Sequence, residues 1–246
     1  MAARMFARPR RIVNVVVLLF AFQFLVGKAG HVVAGWFDYT AWDPYDVFAS
    51  NWVHHMVMLA VALVVIALLH AAYKVEFHGG WGDKALGMKY VLVFTTMMAS
   101  IAIATHVFLW LGGNLPTYGY PLRLGPVVGN LAFQLFLSGP AEELLYRMLP
   151  IPLLAWAIGP TDAMNWKIPP HVVVAALLFA CAHMKWTFSP FAVQADLMTV
   201  VYAGAMGIIQ GIAYQRCGSI VYPMMLHSFS NVLMVGTGYI FTAWFA

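Results

Sequence analysis

The 246-residue chain is 63% hydrophobic and 9% charged, whereas an ordinary soluble domain is about 25% charged. So few charges cannot cover a water-facing surface, which excludes a soluble globule. The length admits about seven or eight spans of about 20 residues each and no separate soluble domain. The net charge of +4 sits largely in Arg4, Arg8, Arg10 and Arg11, and no basic stripe with interleaved aromatics follows, so no nucleic-acid partner is expected. Two cysteines in or beside apolar segments, Cys181 and Cys217, make a disulfide framework or a cysteine-based metal site unexpected.

The first apolar run, Ile12 to Ala34, follows the arginines. No convincing cleavage site comes after it, so it reads as a retained span rather than a signal peptide. The arginines favour a cytoplasmic N-terminus. Further runs cover Val53 to Tyr73 and Tyr90 to Leu111. The region from Leu124 to Ile158 is too long for one simple span, and Pro140 in its middle predicts one long kinked helix or two shorter ones. A start at Pro140 would place Glu142 and Glu143 in a first helical turn. The last runs are Val172 to Trp186, Leu197 to Tyr214 and Ile220 to Phe245. The expected fold is all-α, a polytopic transmembrane bundle of about seven to eight spans. Residues 1–122 serve as N-terminal scaffold helices and 123–246 as the catalytic bundle of one integrated membrane domain.

Loop charges alternate. The loop holding Asp38, Asp43 and Asp46 lacks Lys and Arg and is assigned outside; Lys74, Lys84 and Lys89 mark the next as inside. The uncharged stretch from Gly113 to Tyr120 fits outside, and Asp162, Lys167 and Arg216 fall inside. In the segment Lys74 to Lys89, Phe77 and Trp81 suit headgroup depth.

Ionisable groups inside apolar runs cost about 2.5–3.5 kcal/mol each at mid-membrane. Glu142, Glu143 and Arg147 must therefore face the protein interior or water. Glu143 and Arg147, at i and i+4, suit an ion pair, which leaves Glu142 unexplained. His183 lies four residues after Phe179, so the ring of one can fix the other. His227 and Asn231 project from one face of the last run. Each alone has a bland reading as packing or interhelical glue. Together they form a hydrolytic set: a carboxylate to take a proton from water, an imidazole to hold that water, and donors for an oxyanion. One Glu and two His equally match the ligands of catalytic zinc in some peptidases, so Glu142, His183 and His227 are the candidate metal ligands if zinc takes part. Spacing leaves both versions open.

The run AEELLYR from Ala141 to Arg147 resembles the EExxxR motif of the CAAX-protease and bacteriocin-processing family, also called Abi. FACAH from Phe179 to His183 resembles its FxxxH motif, and HSFSN from His227 to Asn231 its HxxxN/D motif. The joining segment from Gly207 to Asn231 is also similar, and the likeness covers about Leu124 to Tyr239. It implies an intramembrane endopeptidase in which Glu142 and His183 activate water and His227 and Asn231 form the oxyanion site. Glu143 and Arg147 match supporting positions, and Phe179 supports His183. Family members often have about eight spans. The expected location is the inner membrane of a prokaryotic cell. The expected partners are lipid, a peptide or membrane-protein substrate, and subunits of a membrane complex.

A non-catalytic assembly subunit, or an immunity factor that binds a peptide, is the alternative, because family membership does not guarantee activity. His31, His54, His55, His70 and His106 read as packing or interface histidines, with haem ligation as the competing possibility. Ala203, Gly207 and Gly211 suit close helix approach, and Asp196 reads as a helix-start residue.

Overall fold

The computed structural model describes residues 2–159 and 167–245, with side chains from residue 9 onward. The expected inside position of Asp162, and the side chains of Arg4 and Arg8, lie outside the described residues. The protein is nearly all-α. Four helices are long and apolar enough to cross a membrane: α1 (Ala2–Ala34, apolar from Pro9), α2 (Ala49–Tyr73), α3 (Lys84–Leu111) and α8 (Leu197–Cys217). The remaining helices are α4 (Leu124–Phe133), α5 (Gly139–Glu143), α6 (Pro150–Ile158), α7 (Pro170–Ala182) and α9 (Val221–Phe245). The segments α1 and α2 pack along each other, as do α3 with α9 and α7 with α8.

The region from Leu124 to Ile158 is one near-continuous helix, but wound wide twice. π-helical turns occupy Gln134–Ser138 and Leu144–Met148. Each ends shortly before a proline, Pro140 and Pro150. A proline ring clashes with the carbonyl four residues back and offers no amide donor, and a π turn relieves both by shifting the hydrogen-bond register. The helix does not restart at Pro140: Ser138 (φ −55°, ψ −58°) and Gly139 (φ −56°, ψ −57°) are already helical. Glu142 and Glu143 therefore lie within the long helix, between its two wide turns.

Gly139 sets how close this helix comes to α9. A Cβ placed there would lie 2.5 Å from Ser228 Oγ and 3.0 Å from the Met224 carbonyl oxygen. Gly139→Ala is expected to push the helices apart and lower stability by about 1–3 kcal/mol, the usual cost of overpacking, read as a lower unfolding midpoint in detergent. On α8, Gly207 and Gly211 face Ala176 and Val172 of α7, which is the close approach expected of the small-residue pattern.

One expectation is corrected along this part of the chain. The run to Trp186 is not helical throughout: α7 ends at Ala182, His183 caps it (φ −85°, ψ 2°), and an antiparallel hairpin follows, with β1 (Lys185–Phe188) pairing β2 (Phe191–Gln194). Alternating aromatic and β-branched residues around Ser189-Pro190 suit such a hairpin. Its Trp186 and Phe188 rings meet Phe20 and Phe24 of α1 edge to face, each pair 5.4 Å apart. Phe77 is buried within the protein, and its carbonyl accepts from Tyr214 Oη at 2.9 Å. Trp81 is exposed.

Asp83 N donates to the Cys217 carbonyl (2.8 Å) and Ile220 N to that of His78 (3.1 Å), which joins the segment between α2 and α3 to the turn between α8 and α9. Thr242 Oγ1 donates to the Pro116 carbonyl at 3.1 Å. Asp196 caps α8 by accepting from Thr199 N at 2.7 Å, as a helix-start residue should. Asp43 is buried and caps the entry to α2, accepting from Val47, Phe48 and Ala49 amides at 2.8–3.1 Å.

Candidate active site

The two adjacent glutamates occupy different environments. Glu143 has no exposed side-chain surface, whereas Glu142 keeps 17% of its own, so Glu142 is the carboxylate that meets the cavity. Glu143 Oε1 lies 3.2 Å from Arg147 Nη1, one turn on, and 2.8 Å from His227 Nδ1. Arg147 is fully buried; its Nη2 donates to Gln210 Oε1 at 2.5 Å and its guanidinium sits 3.8 Å above the Phe179 ring. A buried cation is tolerable only when paired in this way, and the ring face adds a cation–π contribution.

His227 of α9 lies between the two carboxylates. Its Nδ1 faces Glu143, and its Nε2 lies 3.8 Å from Glu142 Oε2. A carboxylate only accepts, so Nδ1 carries a proton and Nε2 points toward Glu142 and the cavity. Asn231, one turn further, directs its Nδ2 to Gln134 Oε1 (2.9 Å) and Ser138 Oγ (3.2 Å), both on the first wide turn of the long helix. The π register helps to bring these two side chains and Glu142 to one face.

His183 emerges where α7 ends. Its Nδ1 meets the Phe179 carbonyl at 2.9 Å, so this nitrogen donates and Nε2 keeps a lone pair for a water. The Phe179 ring packs edge-on to His183 at 4.6 Å and to His227 at 6.1 Å. One aromatic side chain thus contacts both histidines and Arg147.

Glu142, His183, His227 and Asn231 all line a cavity of about 680 Å³, walled also by Phe179, Tyr202 and Gln210. That volume suits a small ligand or a short stretch of peptide. No direct hydrogen bond joins Glu142 to His183 among the described residues. Glu143 and Arg147 lie behind this wall and buttress it.

The donor set does not fit zinc. Among the described residues no three His, Cys, Asp or Glu side chains converge as a metal ion requires, and Oε1 of Glu142 is engaged elsewhere, by His55 Nε2 at 3.2 Å. The chemistry is therefore derived from the protein's own groups.

Sequence reasoning passed over four contributors. His55 of α2 contacts Glu142 instead of merely packing; it was one histidine among five in the early spans, with no motif to single it out. Gln134 and Ser138 hold Asn231, and Gln210 holds Arg147. Polar side chains inside apolar runs were the available signal for all of them.

A nearly all-α protein with membrane-length helices and a buried Glu/His/Asn cluster facing a cavity defines the class: an integral membrane protein with the side-chain chemistry of a hydrolase. Residues 125–233 match the family model described as type II CAAX prenyl endopeptidase Rce1-like. That match agrees with the resemblance carried by the three motifs. No curated protein and no solved structure matches the chain.

Proposed function

We propose that the protein is an intramembrane endopeptidase that cleaves a peptide bond with a water activated by Glu142 and His183. The observation that carries the proposal is that the Glu142 carboxylate and the His183 imidazole line one cavity, with His227 and Asn231 beside them. Water bound between Glu142 Oε2 and His183 Nε2 gives a proton to the carboxylate as its oxygen attacks the scissile carbonyl carbon. The charge that develops on the carbonyl oxygen is met by His227 Nε2, which donates to it when both ring nitrogens carry protons. Asn231 contributes the second donor by releasing Gln134 or Ser138. Glu142 then passes its proton to the leaving amine, and no covalent intermediate forms.

The membrane arrangement belongs to the same proposal. The helices α1, α2, α3, the long helix α4–α6, α7, α8 and α9 make seven crossings, with residues 1–122 framing residues 123–246. The arginines in the first turns of α1 favour a cytoplasmic N-terminus, and the proposed location is a prokaryotic inner membrane. The family match supports a substrate of the C-a-a-X type, a lipidated C-terminal peptide, or a related membrane peptide.

Cleavage by purified protein in lipid vesicles tests this, with farnesylated C-a-a-X peptides beside a broad unmodified library and mass-spectrometric detection. A single internal cut that persists with chelator is expected. Cleavage abolished by chelator and restored by zinc would overturn the metal-free mechanism. Binding without any cut across the library would favour the peptide-binding alternative.

A further inference from the structure

The nearest polar partner of Glu142 among the described residues comes from none of the three motifs. It is His55 on α2, whose Nε2 lies 3.2 Å from Glu142 Oε1. The other face of the imidazole is equally committed: Nδ1 lies 2.9 Å from the Asn51 carbonyl oxygen, one turn back. A carbonyl only accepts, so Nδ1 carries a proton, and the contact between Nε2 and Oε1 holds a second proton between them.

The ring is boxed in as well as bonded. His54 packs edge-on at 4.8 Å and Phe133, from the long helix, edge-on at 4.8 Å. His54 is itself stacked on His31 of α1 at 3.9 Å. This layer exists because α1 approaches α2 at a glycine: a Cβ on Gly30 would lie 2.6 Å from His54 Nδ1 and 2.8 Å from the His54 carbonyl oxygen. His31, His54 and Glu142 are the titratable groups that face His55 from the elements packed on it.

Oε1 is thus held by His55, while Oε2 points to His227 and the cavity. Resting on the peptidase reading, we infer that His55 is a positioning residue for the reaction: it fixes the Glu142 carboxylate so that Oε2 is the oxygen that takes the proton from water. A side chain that holds a reacting carboxylate in one orientation acts on the chemical step and leaves substrate binding alone.

Cleavage kinetics of His55→Ala and His55→Gln in vesicles test the inference. His55→Ala is expected to lower kcat by about 10- to 100-fold, since a small misplacement of a reacting group can cost about 100-fold, with KM unchanged. His55→Gln, whose amide N–H still reaches a carboxylate, recovers much of the loss, and added imidazole restores part of the activity of His55→Ala. Equal kcat in His55→Ala and wild type overturns the role, as does an equal loss in both variants with a lowered unfolding midpoint. Magic-angle-spinning NMR of labelled protein in lipid reads the contact without activity, through a His55 ¹⁵N to Glu142 ¹³C carboxyl correlation that disappears in Glu142→Gln. A missing correlation in wild type overturns the inference even if cleavage occurs. A present correlation with no wild-type cleavage overturns the peptidase reading itself, and the catalytic role of His55 with it.

Discussion

Glu142→Gln is expected to lower kcat for peptide cleavage by about 100- to 10,000-fold, the range attributed to a positioned general base, while the protein remains folded. The amide keeps the shape of the carboxylate, and its N–H can still meet His55 or His227, but it cannot take a proton from water. Glu142 has 17% of its side chain exposed in the cavity, and the buried Arg147 takes its carboxylate partner from Glu143 instead, so its neutralisation has little reason to unfold the bundle. An unfolding midpoint in detergent beside single-turnover rates separates the two effects. Full activity in the variant would remove Glu142 from the chemistry.

The neighbouring carboxylate predicts the opposite pattern. Arg147→Ala is expected to destabilise the protein by about 3–5 kcal/mol, the cost of leaving a buried charge unpaired. Glu143 has no exposed surface and has Arg147 and His227 as its partners; removing the guanidinium also strips Gln210 and the Phe179 face of theirs. Arg147→Lys recovers only part, because an ammonium cannot at once fork between Glu143 and Gln210 and stack on the ring. The double change Glu143→Gln with Arg147→Met should be more stable than Arg147→Ala, since no charge is then left alone. Denaturation of all three in the same detergent checks the order, and an Arg147→Ala protein as stable as wild type would show that the pair is not structural.

Two adjacent residues of one type thus part in role because of a single difference, access to the cavity. This division was only partly legible in the sequence. The i, i+4 spacing of Glu143 and Arg147 already suggests a pair, and the apolar context of Glu142, His183, His227 and Asn231 marks them as costly unless used. The motif likeness ordered them into a set. What periodicity could not convey was the winding of the long helix, because a π turn depends on which carbonyl a proline displaces and on what packs beside it. Without that register, the shared face of Gln134, Ser138 and Glu142 is invisible.

His55 was illegible for a different reason. A histidine in an apolar span has many bland uses, and its partner lies 87 residues away in sequence. Only the approach of α1 to α2 at Gly30, and of α2 to the long helix, gives it meaning. The hairpin after His183 escaped because aromatic residues read as apolar span in a composition scan. Their alternation about Ser189-Pro190 becomes informative only once the helix is known to stop at Ala182.

The most direct test of the central claim is a structure of Glu142→Gln in lipid with a bound substrate peptide, since the variant is expected to bind without cutting. The account predicts the scissile carbonyl in the cavity between the long helix, α7 and α9, with its oxygen toward His227 and Asn231 and a water between residue 142 and His183. A peptide seated on the lipid-facing surface, or in the cavity with no peptide bond near these four side chains, would contradict it.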